Sequence, residues 1–370
     1  MKTIGKRILI VRLGAIGDVI RTLPALRALR SNLPEAYLAW AVEDRAASLL
    51  TNHPDLDKVF IIPRKNWQDR LFSVETLKEV VRFIQALRQE RFEMVLDFHG
   101  LFKSGLITYL SGAEMRLGYS RRFCKEGNFL FTTHRISLPV EKINRVEKNL
   151  FLVKELGLDV TEHTPLIPIT EEDRAFADAL FLSRRASASH PFIIMHPGSS
   201  HTTPYKRWAP QRFAQTADIL IQRYHATIFF TAGKDEWHLV RTVTDAMKES
   251  SYELCRTETL LQLAEIIRRC DLYIGNDTAP MHMAAFLGTP VIALFGPTDP
   301  VENAPYGNNH VVMLRKEVSC NPCRKRDCQK GICMDAIEVE AVVKSADHLF
   351  RTKGYHRFPE SINDLRTAER

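Results

Sequence analysis

Residues 271–300 carry the groups best suited to bind an anion. Their order indicates a short apolar strand, a polar turn, a helix and a second strand. The turn holds Asp277, Thr278 and Ala279, where the free N–H groups of the helix start would favour a phosphate or a sugar phosphate. Capping of the helix alone would explain a polar turn. Because His282 adds an imidazole to the carboxylate at the same strand end, we favour a binding site.

A second polar segment, residues 196–208, follows another apolar strand. Ser199 and Ser200 offer hydroxyl groups, and Lys206 offers a mobile cation. Such a cation could neutralise a departing diphosphate through a charge-assisted contact. The alternative interpretation is a solvated loop with a surface lysine.

Residues 12–18 lead from the first apolar strand into the first helix through Gly14 and Gly17. Their Gly-x2-Gly-Asp spacing does not match the fingerprint of dinucleotide-binding proteins. On its own, the segment indicates a tight turn in which Asp18 caps the helix. The functional alternative makes Asp18 a general base that accepts a proton from a sugar hydroxyl.

Two further groups of residues leave structural and functional interpretations open. His99 and Lys103 follow another strand, where they could form an ordinary turn or contact a phosphate or carboxylate of an acceptor. Four cysteines are spaced Cys-x2-Cys-x4-Cys-x4-Cys. They are Cys320, Cys323, Cys328 and Cys333. This spacing fits zinc or an iron–sulfur cluster loosely, and free thiols or a local structural clip are the alternatives.

The elements that must position these groups alternate between strand and helix along both halves of the chain. Strands are predicted at 8–11, 37–42, 59–62, 94–98, 192–195, 227–231 and 272–274. Thr76 and Glu79 match a capping box, which predicts a helix start. The alternation predicts an α/β protein whose mostly parallel sheets are covered on both faces.

A change of composition at 164–190 predicts a boundary between two domains. We expect an N-terminal domain at 1–170, a linker at 171–190, a C-terminal domain at 191–350 and a polar tail at 351–370.

The composition agrees with a protein of two cores, since 45% of the 370 residues are hydrophobic. No apolar run approaches the roughly 18 residues of a membrane span. Arg12 and Asp18 interrupt the first apolar segment, so we expect a cytoplasmic protein without a signal peptide. The cysteines outside the cluster, Cys124, Cys255 and Cys270, are expected to be buried.

The net charge of +7 suits an anionic partner, such as a phosphorylated glycolipid or a charged membrane face. The basic residues are spread through both halves and do not alternate with aromatic residues. We therefore expect no nucleic-acid partner.

Together, these motifs resemble those of the lipopolysaccharide heptosyltransferases of glycosyltransferase family 9. The matching segments are 12–18, 97–104, 196–200 with 206–208, 275–282 and 295–299, in the expected order. The resemblance implies a GT-B architecture, in which two Rossmann-like domains face each other across a cleft. It also implies an inverting, metal-independent transfer of heptose from ADP-heptose to the inner core of lipopolysaccharide, at Kdo or heptose, with no cofactor.

The resemblance assigns a role to each motif. Asp18 would be the catalytic base, and Lys206 would hold the diphosphate with help from Ser199, Ser200 and the backbone at Thr278 and Ala279. Asp277 and His282 would contact the donor sugar and phosphates. Either Asp235 or Glu236 would take the ribose.

The acceptor side is expected to use basic residues. Arg64, Lys103, Arg121 and Arg122, with His99, would meet anionic lipid A or Kdo groups at the cytoplasmic face of the inner membrane, where the protein would bind peripherally. Segment 97–104 resembles the first heptosyltransferase of the pathway, whereas the cysteine cluster resembles the second or third. The number of heptoses on the acceptor, the metal content of the cluster and the oligomeric state are therefore left open.

Three rival functions remain. Another GT-B sugar transferase or a sugar-nucleotide epimerase would share the architecture. A basic module that binds nucleic acid through the cysteine cluster is a more distant alternative. An oxidoreductase is disfavoured because the nicotinamide fingerprint is missing.

Overall fold

The computed structural model describes residues 6–70, 73–161, 164–182, 190–307, 310–314, 318–323, 328 and 331–354. The chain divides into two compact units, Met1–Pro168 and Ile169–Arg370. Residues 183–189 of the predicted linker and residues 355–370 of the predicted tail lie outside the described residues.

The first unit contains one parallel six-stranded sheet in the order β3-β2-β1-β4-β5-β6. Its strands are β1 Arg7–Val11, β2 Tyr37–Glu43, β3 Lys58–Ile62, β4 Met94–Asp97, β5 Met115–Tyr119 and β6 His134–Ile136. Its helices are α1 Ile16–Ile20, α2 Leu23–Asn32, α3 Asp44–Ala47, α4 Arg64–Asp69, α5 Val74–Gln89, α6 Phe102–Leu110 and α7 Arg145–Lys154. A 3₁₀ turn covers Asn128–Leu130.

The second unit repeats this plan, with a parallel six-stranded sheet in the order β12-β11-β10-β7-β8-β9. Its strands are β7 Phe192–His196, β8 Thr227–Phe230, β9 Tyr252–Leu254, β10 Leu272–Asn276, β11 Val291–Phe295 and β12 His310–Leu314. Its helices are α8 Glu171–Leu182, α9 Pro210–Tyr224, α10 Trp237–Ala246, α11 Leu260–Arg269, α12 Ala279–Phe286, α13 Pro300–Asn303, α14 Ile332–Asp335 and α15 Val339–Thr352.

The predicted α/β class with two parallel sheets is confirmed. The central strands are buried on both faces, which explains their continuous apolar runs in the sequence. Helix α9 packs one face into the core of the second unit, where Phe213, Ala217 and Leu220 are fully buried. Gln211, Gln215 and Gln222 are exposed on the other face, as the helical period requires.

The order of the strands brings the polar motifs together in pairs. In the first unit the chain builds β1, β2 and β3 outward and then returns to place β4 beside β1. In the second unit β10 returns beside β7 in the same way. Such a reversal opens a crevice at the carboxyl ends of the two neighbouring strands, where α/β proteins bind ligands. The polar segments singled out in the sequence begin at these strand ends.

Two local predictions are wrong. Helix α5 is capped by Ser73, whose side chain accepts from the N–H of Thr76, so Thr76 and Glu79 do not open it. Serine is a favourable N-cap residue, and α5 therefore begins about one turn before the predicted start at Thr76. Cys124 is only half-buried, whereas Cys255 and Cys270 are buried as expected.

Among the described residues, no helix is both long enough and apolar enough to cross a bilayer.

Candidate functional site

The loop after β7 is fixed to the end of β10 by Asn276. This side chain is fully buried; its amide donates to the carbonyl oxygens of Pro197 (3.0 Å) and Gly198 (3.1 Å), and its Oδ1 accepts from the N–H of Trp208 (3.0 Å). Asn276 thus makes three hydrogen bonds across the strand pair. The sequence signal for this residue was its position just after a predicted strand.

Half-buried Lys206 and buried Asp277 form an ion pair on the second unit. The Nζ of Lys206 donates to Oδ2 of Asp277 at 2.7 Å, and the hydroxyl of Thr298 donates to the same oxygen at 2.8 Å. The Nε2 of His282 lies 3.9 Å from Oδ1 of Asp277. Burial would raise the pKa of Asp277, but Lys206 and His282 outweigh burial and lower it. The carboxylate therefore stays ionised and holds the ammonium group in place.

Ser199 and Glu236 shape the loop that carries this lysine. Oε1 of Glu236 accepts from the N–H of Ser199 (2.9 Å) and from Arg207 (2.7 Å). The hydroxyl of Ser199 donates to the carbonyl of Thr203 (2.8 Å) and accepts from Arg207 (3.1 Å). Ser199 is therefore saturated within the loop, whereas Ser200 is exposed. Arg207, to which the sequence analysis assigned no role, donates hydrogen bonds to both Ser199 and Glu236.

Gly198 is required for this arrangement. A Cβ atom at this position would lie 2.5 Å from Oε2 of Glu236, so the carboxylate would have to move, and 3.2 Å from Nε2 of His196, which is a tight contact. The absence of a side chain lets the carboxylate reach the backbone of the loop.

The start of α12 lies next to the ion pair in the chain. Thr278 and Ala279 are half-buried, and Pro280 follows within the first turn. Proline lacks an N–H group, so the free donors of this turn come from its neighbours. The helix start thus offers partial positive charge directly after Asp277.

On the first unit, Asp18 lies in the first turn of α1, where it pairs with two arginines. Its Oδ2 lies 2.6 Å from Arg12, and its Oδ1 pairs with Arg21. The residue does not cap the helix, because Ala15 holds the N-cap position. Burial would raise the pKa of Asp18, but Arg12, Arg21 and Arg145 hold it far below the usual carboxyl range. Asp18 is ionised at any physiological pH.

Asp97 ends β4 and His99 follows it, next to Phe98, whose carbonyl accepts from Arg12. Asp97 is fully buried and accepts from Ser104, Asn128 and the N–H groups of His99 and Gly100. Burial, which these hydrogen bonds only partly offset, raises its pKa.

Both ring nitrogens of His99 are buried and have no hydrogen-bond partner within the described residues. Burial, together with the charges of Arg12 and Lys103, lowers the pKa of His99 to about 3. The structure thus holds a neutral imidazole with one donor and one acceptor still available.

The predicted acceptor residues divide into two groups. Lys103 and Arg64 both contact the buried carboxylate of Glu43, at 2.5 Å and 3.1 Å. Arg122 instead pairs with Glu141 at 3.5 Å on the exposed surface. The structure therefore brings Lys103 and Arg64 together at the end of β2, through a glutamate that the sequence analysis did not single out.

The four clustered cysteines differ in burial. Cys333 is buried, and the nearby thiols of Cys320 and Cys323 contribute after burial to the raised pKa of its own thiol. Cys328 is half-buried. Within the described residues, no three His, Cys, Asp or Glu side chains are arranged to hold a metal ion.

A family model matches residues 80–333, more than half of the chain, and describes glycosyltransferase family 9 (heptosyltransferase). Among curated relatives, the lipopolysaccharide core heptosyltransferase OpsX of Haemophilus influenzae is 25% identical over 84% of this chain and 85% of its own. Lipopolysaccharide heptosyltransferase 1 of Pseudomonas aeruginosa is 26% identical, covering 87% of each chain.

Two solved structures are similar to the whole fold. A glycosyl transferase of family 9 from Veillonella parvula is 26% identical, with a TM-score of 0.78 over 93% of this chain and 96% of that one. Escherichia coli heptosyltransferase WaaC with ADP is 22% identical, with a TM-score of 0.71 over 93% of this chain and 99% of that one.

Proposed function

The chain belongs to glycosyltransferase family 9, the heptosyltransferases, and from this premise we propose that it transfers heptose from ADP-heptose to the inner core of lipopolysaccharide. The relatives whose names state this activity match it over most of both chains, which supports the proposal. The strongest structural support for this proposal is the Lys206–Asp277 ion pair, because it fixes a cation on the residue just before the start of α12.

The donor diphosphate is assigned to the second unit. A nucleoside diphosphate gains negative charge as the bond to its sugar breaks, and a preorganised cation stabilises that charge without reorganising. Lys206 would supply the cation, and the backbone at Thr278 and Ala279 would supply N–H donors. Asp277 and His282 would contact the sugar and phosphates, and Ser200 would add an exposed hydroxyl.

Ser199 and Glu236 would act differently in donor binding. Their hydrogen bonds hold the loop in shape, so we assign them to positioning Lys206. Oε2 of Glu236 is the oxygen not used by Ser199 and Arg207, and it would accept from a ribose hydroxyl.

Asp18 is the proposed general base. Both its oxygens are paired with arginines, so the ground-state carboxylate is a weak base. The acceptor hydroxyl becomes more acidic as its oxygen bonds to the anomeric carbon, and a fixed, ionised carboxylate can take the proton at that stage. The oxygen attacks, the bond from the anomeric carbon to the diphosphate breaks, ADP leaves with the electron pair, and the anomeric configuration inverts. No metal enters these steps.

The acceptor is assigned to the first unit. Lys103, Arg64 and the neutral His99 would bind an anionic sugar of the Kdo type, since the two cations are already gathered at one carboxylate. Arg122 would contribute only to longer-range attraction. Because the acceptor carries a lipid, we further propose that the protein binds peripherally at the cytoplasmic face of the inner membrane.

One assay tests this function directly. Purified protein is incubated with ADP-heptose and lipid A–Kdo acceptors that carry zero, one or two heptoses, and ADP release is measured with each. ADP release that depends on one of these acceptors is the expected result, and it also identifies the acceptor. Release of a free sugar without acceptor would favour an epimerase, and no turnover with any acceptor would contradict the proposal.

A further inference from the structure

Two neighbouring helices of the first unit expose apolar stripes. Val74, Leu77 and Val81 lie three and four residues apart on α5 and are exposed, Leu77 by 64%. These spacings place the three side chains on one face of the helix. The opposite face of α5 packs inward through Phe83 and Leu87. The helix therefore has a second apolar face that its own unit does not cover.

Helix α6 lies beside α5 and exposes an apolar stripe of its own. Phe102, Leu106 and Tyr109 lie four and three residues apart, and their exposed fractions are 51%, 39% and 55%. The two helices are joined where Nε of Arg88, on α5, donates to the carbonyl of Leu110 at 3.0 Å.

The stripe of α6 extends to the following 3₁₀ turn. Phe131 packs its ring 5.3 Å from that of Phe102 and 6.3 Å from that of Tyr109. Leu130, the residue before Phe131, is 69% exposed. We call Val74, Leu77, Val81, Phe102, Leu106, Tyr109 and Leu130 the apolar patch. Single exposed apolar residues are normal on a protein surface, but seven large ones on two neighbouring helices and the adjoining turn indicate an interaction site.

Cations border the apolar patch. Residues 102–136 contain six lysines and arginines and two glutamates, so this region is basic. Arg116 lies 5.6 Å from the ring of Tyr109, and Arg121 and Arg135 flank Phe129. On α5, Lys78 and Arg82 are exposed together with Glu75 and Glu79, so the excess of cations lies around α6 and the residues that follow it. Large apolar side chains within a basic border complement the surface of an anionic bilayer.

The apolar patch is also connected to the candidate acceptor residues. Lys103 lies on α6 directly after Phe102, and its ammonium group reaches Glu43 in the acceptor cluster. A surface that docks on lipid at α6 would therefore keep the acceptor residues close to the polar heads of the same bilayer.

We propose that the apolar patch is the membrane-docking surface of the protein and that its ligand is an anionic phospholipid bilayer. This inference rests on the proposed function for its biological meaning, since the acceptor is a lipid, but its binding step does not require catalysis. Leucine, valine and aromatic side chains would enter the interface, and the bordering lysines and arginines would meet the phosphate groups.

Flotation of the full chain with vesicles tests the proposal. The vesicles contain phosphatidylcholine alone or an equal mixture with phosphatidylglycerol, and no lipopolysaccharide. We expect binding to the anionic vesicles. The double variant Leu77→Gln with Leu106→Gln should weaken this binding by about tenfold, because two apolar side chains are lost from the interface. Lys78→Gln should weaken it by about fivefold in low salt.

The matched control changes two exposed leucines outside the patch, Leu182→Gln with Leu254→Gln, and should bind vesicles like the unaltered protein. Thermal unfolding checks that all variants are folded. Equal vesicle binding by the patch variant and the control would overturn the proposal. A lipid-free dimer that the patch variant abolishes would assign the surface to a second copy of the chain instead.

Transfer to a deacylated, water-soluble acceptor separates this inference from the proposed function. The patch variant should transfer heptose to that acceptor at the unaltered rate. If the unaltered protein binds anionic vesicles but transfers no heptose, the proposed function fails while the docking surface stands.

Discussion

The ammonium group of Lys206 lies 2.7 Å from Oδ2 of Asp277, in a site that buries the carboxylate almost completely. The two residues are 71 positions apart in the chain and belong to different βα connections of one sheet. The pair holds the cation in place before any ligand binds, as a site for a developing anion requires.

Replacing Lys206 should affect the chemical step more than donor binding. We expect Lys206→Met to lower kcat by about 10²- to 10³-fold, the typical effect of losing one preorganised contact to a developing charge. Steady-state ADP release measures this change, and calorimetric titration with ADP measures donor affinity. Lys344→Met, at an exposed position of α15, is the matched control. A kcat within twofold of the unaltered protein would remove Lys206 from the proposed mechanism.

Replacing Asp18 should separate catalysis from donor binding. Asp18→Asn preserves the size of the side chain but removes the proton acceptor, so we expect transfer to be abolished. ADP-heptose affinity should persist, because the proposed donor residues belong to the other unit. Transfer assays and calorimetric titration test the two expectations. Full activity of Asp18→Asn would show that another group takes the proton.

We expect the lowered pKa of His99 to make the free energy of unfolding depend on pH. Its folded pKa is about 3, against an ordinary value of 6.5, so between these values the unfolded chain binds a proton that the folded chain does not. Acidification therefore favours unfolding, by up to about 1.4 kcal/mol per pH unit for this group. His99→Gln should lose less stability than the unaltered protein between about pH 7.5 and about pH 5.

Denaturant unfolding at the two pH values gives the free energy of unfolding for this comparison. His201→Gln, at an exposed position, should behave like the unaltered protein. The expectation is wrong if His99→Gln and His201→Gln show the same loss of stability on acidification.

Asn276 should prove essential for the stability of the second unit. Asn276→Ala leaves two buried carbonyl oxygens and one buried N–H without their partner, which we expect to cost about 2–4 kcal/mol. Asn276→Asp preserves size but turns a carboxylate toward two carbonyl oxygens, so it should destabilise at least as much. Calorimetry measures the melting temperature, with exposed Asn66→Ala as control. Unchanged melting of both Asn276 variants would contradict this role.

The sequence alone determined the α/β class, because alternating apolar strands and amphipathic helices leave few other ways to bury the apolar residues. It also located the polar segments at strand ends, since turn residues with hydroxyl, carboxylate and imidazole groups stand out between apolar runs. Segments 12–18 and 275–282 were enough to indicate the family. Local propensity was less informative at the helix starts, where Ser73 rather than Thr76 caps α5.

Only the tertiary structure decided which of these groups pair. Glu43 joins Lys103 to Arg64, and Arg207 joins Ser199 to Glu236, across separations that no local pattern records. The strongly lowered pKa of Asp18 has the same origin, because it depends on Arg12 and Arg21 reaching both carboxylate oxygens. Pairing depends on which strands lie side by side, and that is settled when the whole sheet forms.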